Sequence, residues 1–214
     1  MKKTLLFTAL FLFTASQSMA CLNTYHALGK DGHFHNMGYE SFIGFNTNFN
    51  PRLMNRKFPK MEAQIRDTKS PYVLSDYAVL LLKAGRTQES LDILTNLNRN
   101  LPNEYRIAAN LGTAYEIAGN LDSALHYIKR GMELNPNAHE GSEWVHIKVL
   151  ETKLALLNDP DFLEGQTVLE LTEAQEKDSA VRAQLEIQVR ERFPFSPKGN
   201  DPIMASLLVD LGDC

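Results

Sequence analysis

Two rhythms of apolar positions run along this chain. Lys2 and Lys3 precede an almost wholly apolar run from Thr4 to Thr14, and Ser18, Met19 and Ala20 follow it. A basic start, a short apolar run and small residues at its end are the parts of a secretory signal, with cleavage expected after Ala20. A buried N-terminal helix is the alternative, although the run is short for a membrane span. From Pro71 to Ala138 the apolar positions recur at helical spacing and are punctuated by Gly85, Pro102, Gly119 and Pro136.

That punctuation repeats. PYVLSDYAVLLLKAGRTQESLDILTNLNRNLPNE (71–104) aligns with YRIAANLGTAYEIAGNLDSALHYIKRGMELNPNA (105–138) at a constant offset of 34 residues. Gly85 falls on Gly119, Pro102 on Pro136, Ala78 on Gly112, Ser90 on Ala124 and Leu94 on Ile128. The small residues predict close helix crossings, filled by Leu81, Leu94, Tyr115 and Ile128. The glycines predict turns in the left-handed region. Thr87 and Asn120 are the candidates to cap the helices that follow. The period, with Leu111-Gly112, Tyr115, Ala124 and Pro136 in the second block, resembles the tetratricopeptide repeat (TPR) family. The first block departs from it, with Tyr77-Ala78 and Ser90 where that family favours Leu-Gly and Ala. The resemblance implies an all-α fold, a right-handed α-solenoid of antiparallel helix hairpins.

A third, divergent block (139–172) begins as a helix expected to run to about Leu157, before Asn158-Asp159-Pro160. It lacks a glycine at the matching turn, where Lys153 stands, as an end repeat often does. Residues 173–214 read as capping helices. One amphipathic helix is expected over 172–192, with Ala174, Val181, Leu185 and Val189 inward. A last one should be capped by Asp201, with Pro202 at its first position and Ile203, Leu207, Leu208 and Leu211 inward. Residues 21–70 are rich in Gly, Asn and aromatics and read as a loop-rich extension, with a short helix from Met61.

Composition narrows the function. In 214 residues, 43% hydrophobic and 22% charged, there is room for a packed core. The formal charge is -4, and loss of residues 1–20 removes two lysines and no acid, giving 20 basic against 26 acidic side chains, or -6. Duplex nucleic acid is therefore an unlikely partner. Two cysteines exclude a disulfide-dense scaffold. Cys21 would lead the cleaved chain, which leaves open a lipidated cysteine attached to the membrane, a Cys21–Cys214 disulfide, or free thiols. Ser18 stands where lipoprotein signals usually carry an aliphatic residue.

Candidate chemistry is sparse. His26, Asp31, His33 and His35 lie close in sequence without the spacing of a known zinc signature, and ordinary loop histidines are the simpler reading. His139, Glu143 and His146 resemble a ligand set on paper, yet a solvated helix face is expected, and His126 is likewise a repeat-surface residue. No His-Glu-x-x-His motif, nucleophile elbow around Ser142 or phosphate loop occurs. No catalytic residue, metal or cofactor is assigned. The TPR resemblance implies a concave surface lined by positions two, five, nine and twelve of each block. These are Tyr72, Ser75, Val79 and Leu82; Arg106, Ala109, Thr113 and Glu116; and Glu140, Glu143, Ile147 and Leu150. Asn110 stands where some such grooves hold a peptide carboxylate, without the companion basic residues. Trp144 is either a binding anchor or packing against the preceding helix pair. The expectation is an exported bacterial scaffold of the periplasm or outer membrane, or a secreted one, that binds a protein or peptide of the cell envelope. Its rivals are an accessory domain without a specific ligand and an enzyme or metal site on the histidine-rich N-terminal loop.

Overall fold

The computed structural model describes residues 26–28, 34–36, 51–192, 196 and 201–214. Among the described residues the regular secondary structure is helical apart from one small strand pair. β1 (His26–Leu28) pairs antiparallel with β2 (Phe34–Asn36), Ala27 opposite His35. The helices are α1 (Pro51–Thr68), α2 (Pro71–Lys83), α3 (Thr87–Asn100), α4 (Tyr105–Ile117), α5 (Leu121–Leu134), α6 (Glu143–Asn158), α7 (Glu173–Glu176), α8 (Ser179–Arg192) and α9 (Pro202–Asp213). Each of α1 to α5 packs on the next, and α8 and α9 close against α6.

The turns between α2 and α3 and between α4 and α5 are the same structure made twice. Gly85 has φ +76° and Gly119 φ +81°. Arg86 N–H donates to Leu81 O and Asn120 N–H to Tyr115 O, each at 2.9 Å. These bonds reach back five residues, so each helix closes with a glycine-dependent left-handed cap. Asn120 Oδ1 also accepts from Ser123 N–H at 3.1 Å, whereas Thr87 lies inside α3, preceded by Arg86 without a side-chain cap.

Small residues set the crossings. Ala78, Ser90, Ala114 and Ala124 are fully buried. A Cβ on Gly112 would stand 2.7 Å from Ile128 Cδ1, so α4 and α5 meet at a distance that only glycine permits there. Ala78, Leu82, Leu94, Leu97, Ile107 and Leu111 form one apolar cluster across α2, α3 and α4. Ala124, Ile128, Ile147 and Leu150 continue it through α5 and α6.

Several boundaries differ from the sequence expectation. The first helix starts at Pro51, ten residues before Met61. The third block does not enter its helix at once. His139, Glu140 and Gly141 take φ of 49°, 57° and 78°, a left-handed turn that delays α6 to Glu143. The expected 172–192 helix is broken at Lys177 and Asp178. There Asp178 Oδ1 accepts from Ala180 N–H at 2.8 Å and starts a new helix, a local bond that outcompetes continuation. Ala174 consequently lies exposed on the short α7. Val181, Leu185 and Val189 are buried as expected, with Ile203, Met204 and Leu207 of α9 and Val145 and Val149 of α6 in one cluster. Leu208, expected inward, is 49% exposed. Asp201 caps α9 through Met204 N–H at 3.1 Å, with Pro202 at its start.

Candidate functional site

A cavity of about 260 Å³ lies where the repeated helices meet the C-terminal ones. Its wall combines Thr113, Glu116 and Ile117 of α4, His139 of the left-handed turn, Glu143, His146 and Lys153 of α6, Gln188, Glu191 and Arg192 of α8, and Ser196, Asp201, Ile203 and Met204. Apolar spacing buries α6 and α8 against each other, and the charged side chains at their edges are carried inward with them.

Glu116 is the hub. Its side chain is 8% exposed. Oε2 pairs with His146 Nε2 at 2.7 Å, and Oε1 accepts from Lys153 Nζ at 2.7 Å and Arg192 Nη1 at 2.9 Å. Burial acts to raise this carboxyl, but the charges of Arg192 and His146, with Lys153, hold it well below the usual carboxylate range. Glu143 is buried beside it. Its Oε1 accepts from Tyr105 Oη at 3.0 Å and lies 2.9 Å from His139 Nδ1. Burial is again outweighed, here by the neighbouring His139 and His146, and the carboxyl is held low.

Glu191 behaves in the opposite way. Burial and the neighbouring Glu143 charge push its carboxyl up, against the pull of His139, His146 and Arg190. Its Oε1 and Glu143 Oε2 are buried without a hydrogen-bond partner. The backbone supports the same place, because His139 and Glu140 hold left-handed conformations that ordinary side chains disfavour.

The expected solvated face of His139, Glu143 and His146 is therefore corrected: these side chains are buried and paired. The left-handed turn brings His139 back over α6, and α8 covers the rest. Sequence reading also missed Lys153, Gln188, Glu191 and Arg192. The available signal was the set of ionisable residues interrupting an otherwise apolar helical stripe, but no local spacing says which of them converge.

The concave-row residues divide. Ser75, Val79, Leu82, Ala109, Asn110, Thr113, Glu143, Ile147 and Leu150 are buried. Tyr72 and Glu140 are exposed, and Arg106 and Trp144 are half-buried. Asn110 Nδ2 donates to Ser75 Oγ at 2.9 Å, so this asparagine ties α4 to α2. Trp144 packs on the C-terminal cluster that follows it rather than on the preceding pair, and its Nε1–H donates to Gln184 Oε1 at 2.7 Å. Gln184 Nε2 and Gln188 Nε2 also reach Glu140 O and Ser142 Oγ, each at 3.0 Å, so α8 itself occupies this part of the face. Near the other end Arg106 pairs with Asp76 and lies over the Tyr72 ring at 5.9 Å.

Residues 1–25, including the signal reading and Cys21, lie outside the described residues, as do Asp31 and His33. Cys214 is a free thiol whose pKa is raised by burial. Among the described residues no group of three or more His, Cys, Asp or Glu could hold a metal ion, and no helix is long and apolar enough to cross a membrane. No family model matches this chain, and no curated protein matches it.

Proposed function

We propose that this chain is an exported, non-catalytic helical-repeat scaffold of the bacterial cell envelope that binds a polypeptide partner. In this reading α2 to α5 are two TPR-like hairpins of a right-handed solenoid, and the helices after α6 are its cap. The observation that carries the reading is the duplicated turn, with the same backbone bonds at Gly85 and Gly119 and small residues at equivalent crossings. Repeated pairs of this kind align their first helices into one continuous face, which suits an extended partner. The accessible end of that face carries Tyr72, Asp76 and Arg106, an aromatic ring beside an ion pair. Such side chains commonly anchor protein interfaces.

A pull-down from envelope extract tests this, comparing the protein with a Tyr72→Ala, Arg106→Ala variant of matched helicity. A saturable partner that the native protein retains and the variant loses supports the reading. Equal capture by both, or no saturable capture by folded protein, refutes it. The accessory-domain rival predicts the latter result.

A further inference from the structure

The two ends of the helical stack carry opposite surfaces. At the C-terminal end the outer side of α9 is apolar. Its Ser206 and Asp210 are turned inward, where Ser206 Oγ accepts from Val168 N–H at 2.7 Å and Asp210 Oδ2 from Leu169 N–H at 3.4 Å. Ile203, Met204 and Leu207 fill the core beneath. Ala205, Leu208, Val209 and Gly212 are left outside, all exposed and on one stripe of the helix. Leu208 and Val209 are 49% and 53% exposed. The end element of a helical array ordinarily turns a polar face to water, whereas this one directs its polar side chains inward. Acids border the stripe. Glu170 follows the Leu169 amide that Asp210 holds, and Glu176 and Asp213 lie close enough to Cys214, at the helix end, to act on its thiol. Arg182, also near Cys214, is paired with Glu186 at 3.3 Å. Residues 159–178 hold seven acidic side chains and one basic. At the other end the charge reverses. α1 rests on α2 through Phe58 and Met61. By helical register Arg52, Arg56 and Lys60, four residues apart, fall on the opposite side of α1, and Lys60 is exposed. Residues 51–69 hold six basic side chains and two acidic, in a chain whose formal charge is -4.

We propose that this chain associates head to tail with a second copy of itself, the basic outer stripe of α1 lying on the apolar, acid-bordered outer stripe of α9. Arg and Lys stems are methylene chains that can cover Leu208 and Val209 while their charged heads reach the carboxylates at the border. Nothing stands within 4 Å of a Cβ placed on Gly212, so a second helix can approach α9 closely. Two α9 faces would bring like acidic borders together, and two α1 stripes like cations, so complementarity selects the unlike pairing. Such a contact is heterologous and leaves a free head and a free tail, so a third copy can add to the second. Each contact rests on one helix from either side, which sets an expected Kd on the order of 10–100 µM. The inference concerns the ends of the stack and does not depend on the scaffold reading of its face.

Sedimentation velocity decides it, on protein purified from cells expressing the whole chain and kept in reducing buffer so that no disulfide links copies. The average mass should rise with concentration between about 1 and 200 µM, pass beyond a dimer, and rise about tenfold less readily in roughly 500 mM salt than in 50 mM. Two variants of matched helicity block one end each. Arg52→Glu, Arg56→Glu, Lys60→Glu blocks the head, and Leu208→Ser, Val209→Ser blocks the tail. Each alone should remain monomeric, and an equal mixture should form a dimer and nothing larger, because only one intact head and one intact tail can meet. Should the triple variant fail to fold, Lys60→Glu alone takes its place and should weaken association by about threefold. The proposal is overturned by a native protein that stays monomeric throughout the range, by association unchanged in high salt, or by a mixture that stays monomeric. It is equally overturned if the head-blocked variant alone still dimerises, which would mark a symmetric contact between two α9 faces. Failure of the partner pull-down alongside head-to-tail growth would count against the scaffold and leave this inference intact.

Discussion

Glu116→Gln, in combination with Arg192→Met, measures how the C-terminal helices are held to the repeated ones. Arg192 reaches Glu116 across 76 residues of sequence, and its side chain is 13% exposed. Removing one partner of a buried ion pair generally costs about 3–5 kcal/mol, because the other charge is stranded. Two features lower that here. Glutamine keeps one acceptor oxygen, and Lys153, with 35% of its side chain exposed, can turn its ammonium towards water. The expected loss for Glu116→Gln is therefore about 2–3 kcal/mol. Arg192→Met leaves Glu116 with Lys153 and His146 and should cost about 1–2 kcal/mol. The double variant strands nothing new, so its cost should fall short of the sum by about 1–2 kcal/mol. Urea unfolding at neutral pH, followed by circular dichroism, gives the four stabilities. Additivity within about 0.3 kcal/mol would refute the coupling. The pH dependence has a definite sign. Glu116 is held low in the folded state, so its contribution is complete above the unfolded carboxylate range, near about pH 4.3, and is lost as pH falls through the folded value. The Glu116→Gln variant should lose that part of the acid sensitivity.

Four further substitutions probe separate features. Gly112→Ala should destabilise by about 1–2 kcal/mol, since overpacking against Ile128 exceeds the gain in helix propensity, and Ile128→Val should recover part of it in thermal melts. Gly119→Ala meets no neighbour within 4 Å yet should cost about 1 kcal/mol through its left-handed backbone, and Ile128→Val should not relieve it. Burial, helped by Lys57, lowers the Lys83 amine to about 8 against the opposing pull of Glu191. The unfolded chain then binds more protons between about pH 8 and 10.4, stability rises with pH across that window, and denaturant titrations should show the rise abolished in Lys83→Met. Glu191 is raised in the folded state, so its stability contribution declines as pH climbs from about 4.3 through the folded value, and Glu191→Gln should remove that decline.

The sequence by itself determined the parts of this protein whose causes are local. A left-handed turn requires glycine, a close crossing requires a small residue, and a helix start rewards Asp201 followed by Pro202; each requirement is met within a few residues of chain. The fixed offset of Gly85 and Gly119 therefore announced two equivalent helix pairs before any coordinates. Val181, Leu185 and Val189 were similarly legible, because helical spacing marks a buried stripe whatever covers it. Tertiary structure decided the rest. Nothing near His139 foretold three successive left-handed residues, and nothing near Asp178 forced the break that its own side chain stabilises. The charged cavity lay furthest from view. Glu116, Glu143 and Glu191 sit on three helices, and each reads in sequence as one more acid on a water-facing surface. Only the folding of α8 across α4 and α6 removes the water, and with low-dielectric surroundings the same carboxyls become a paired hub, a restrained anion and a strained acid.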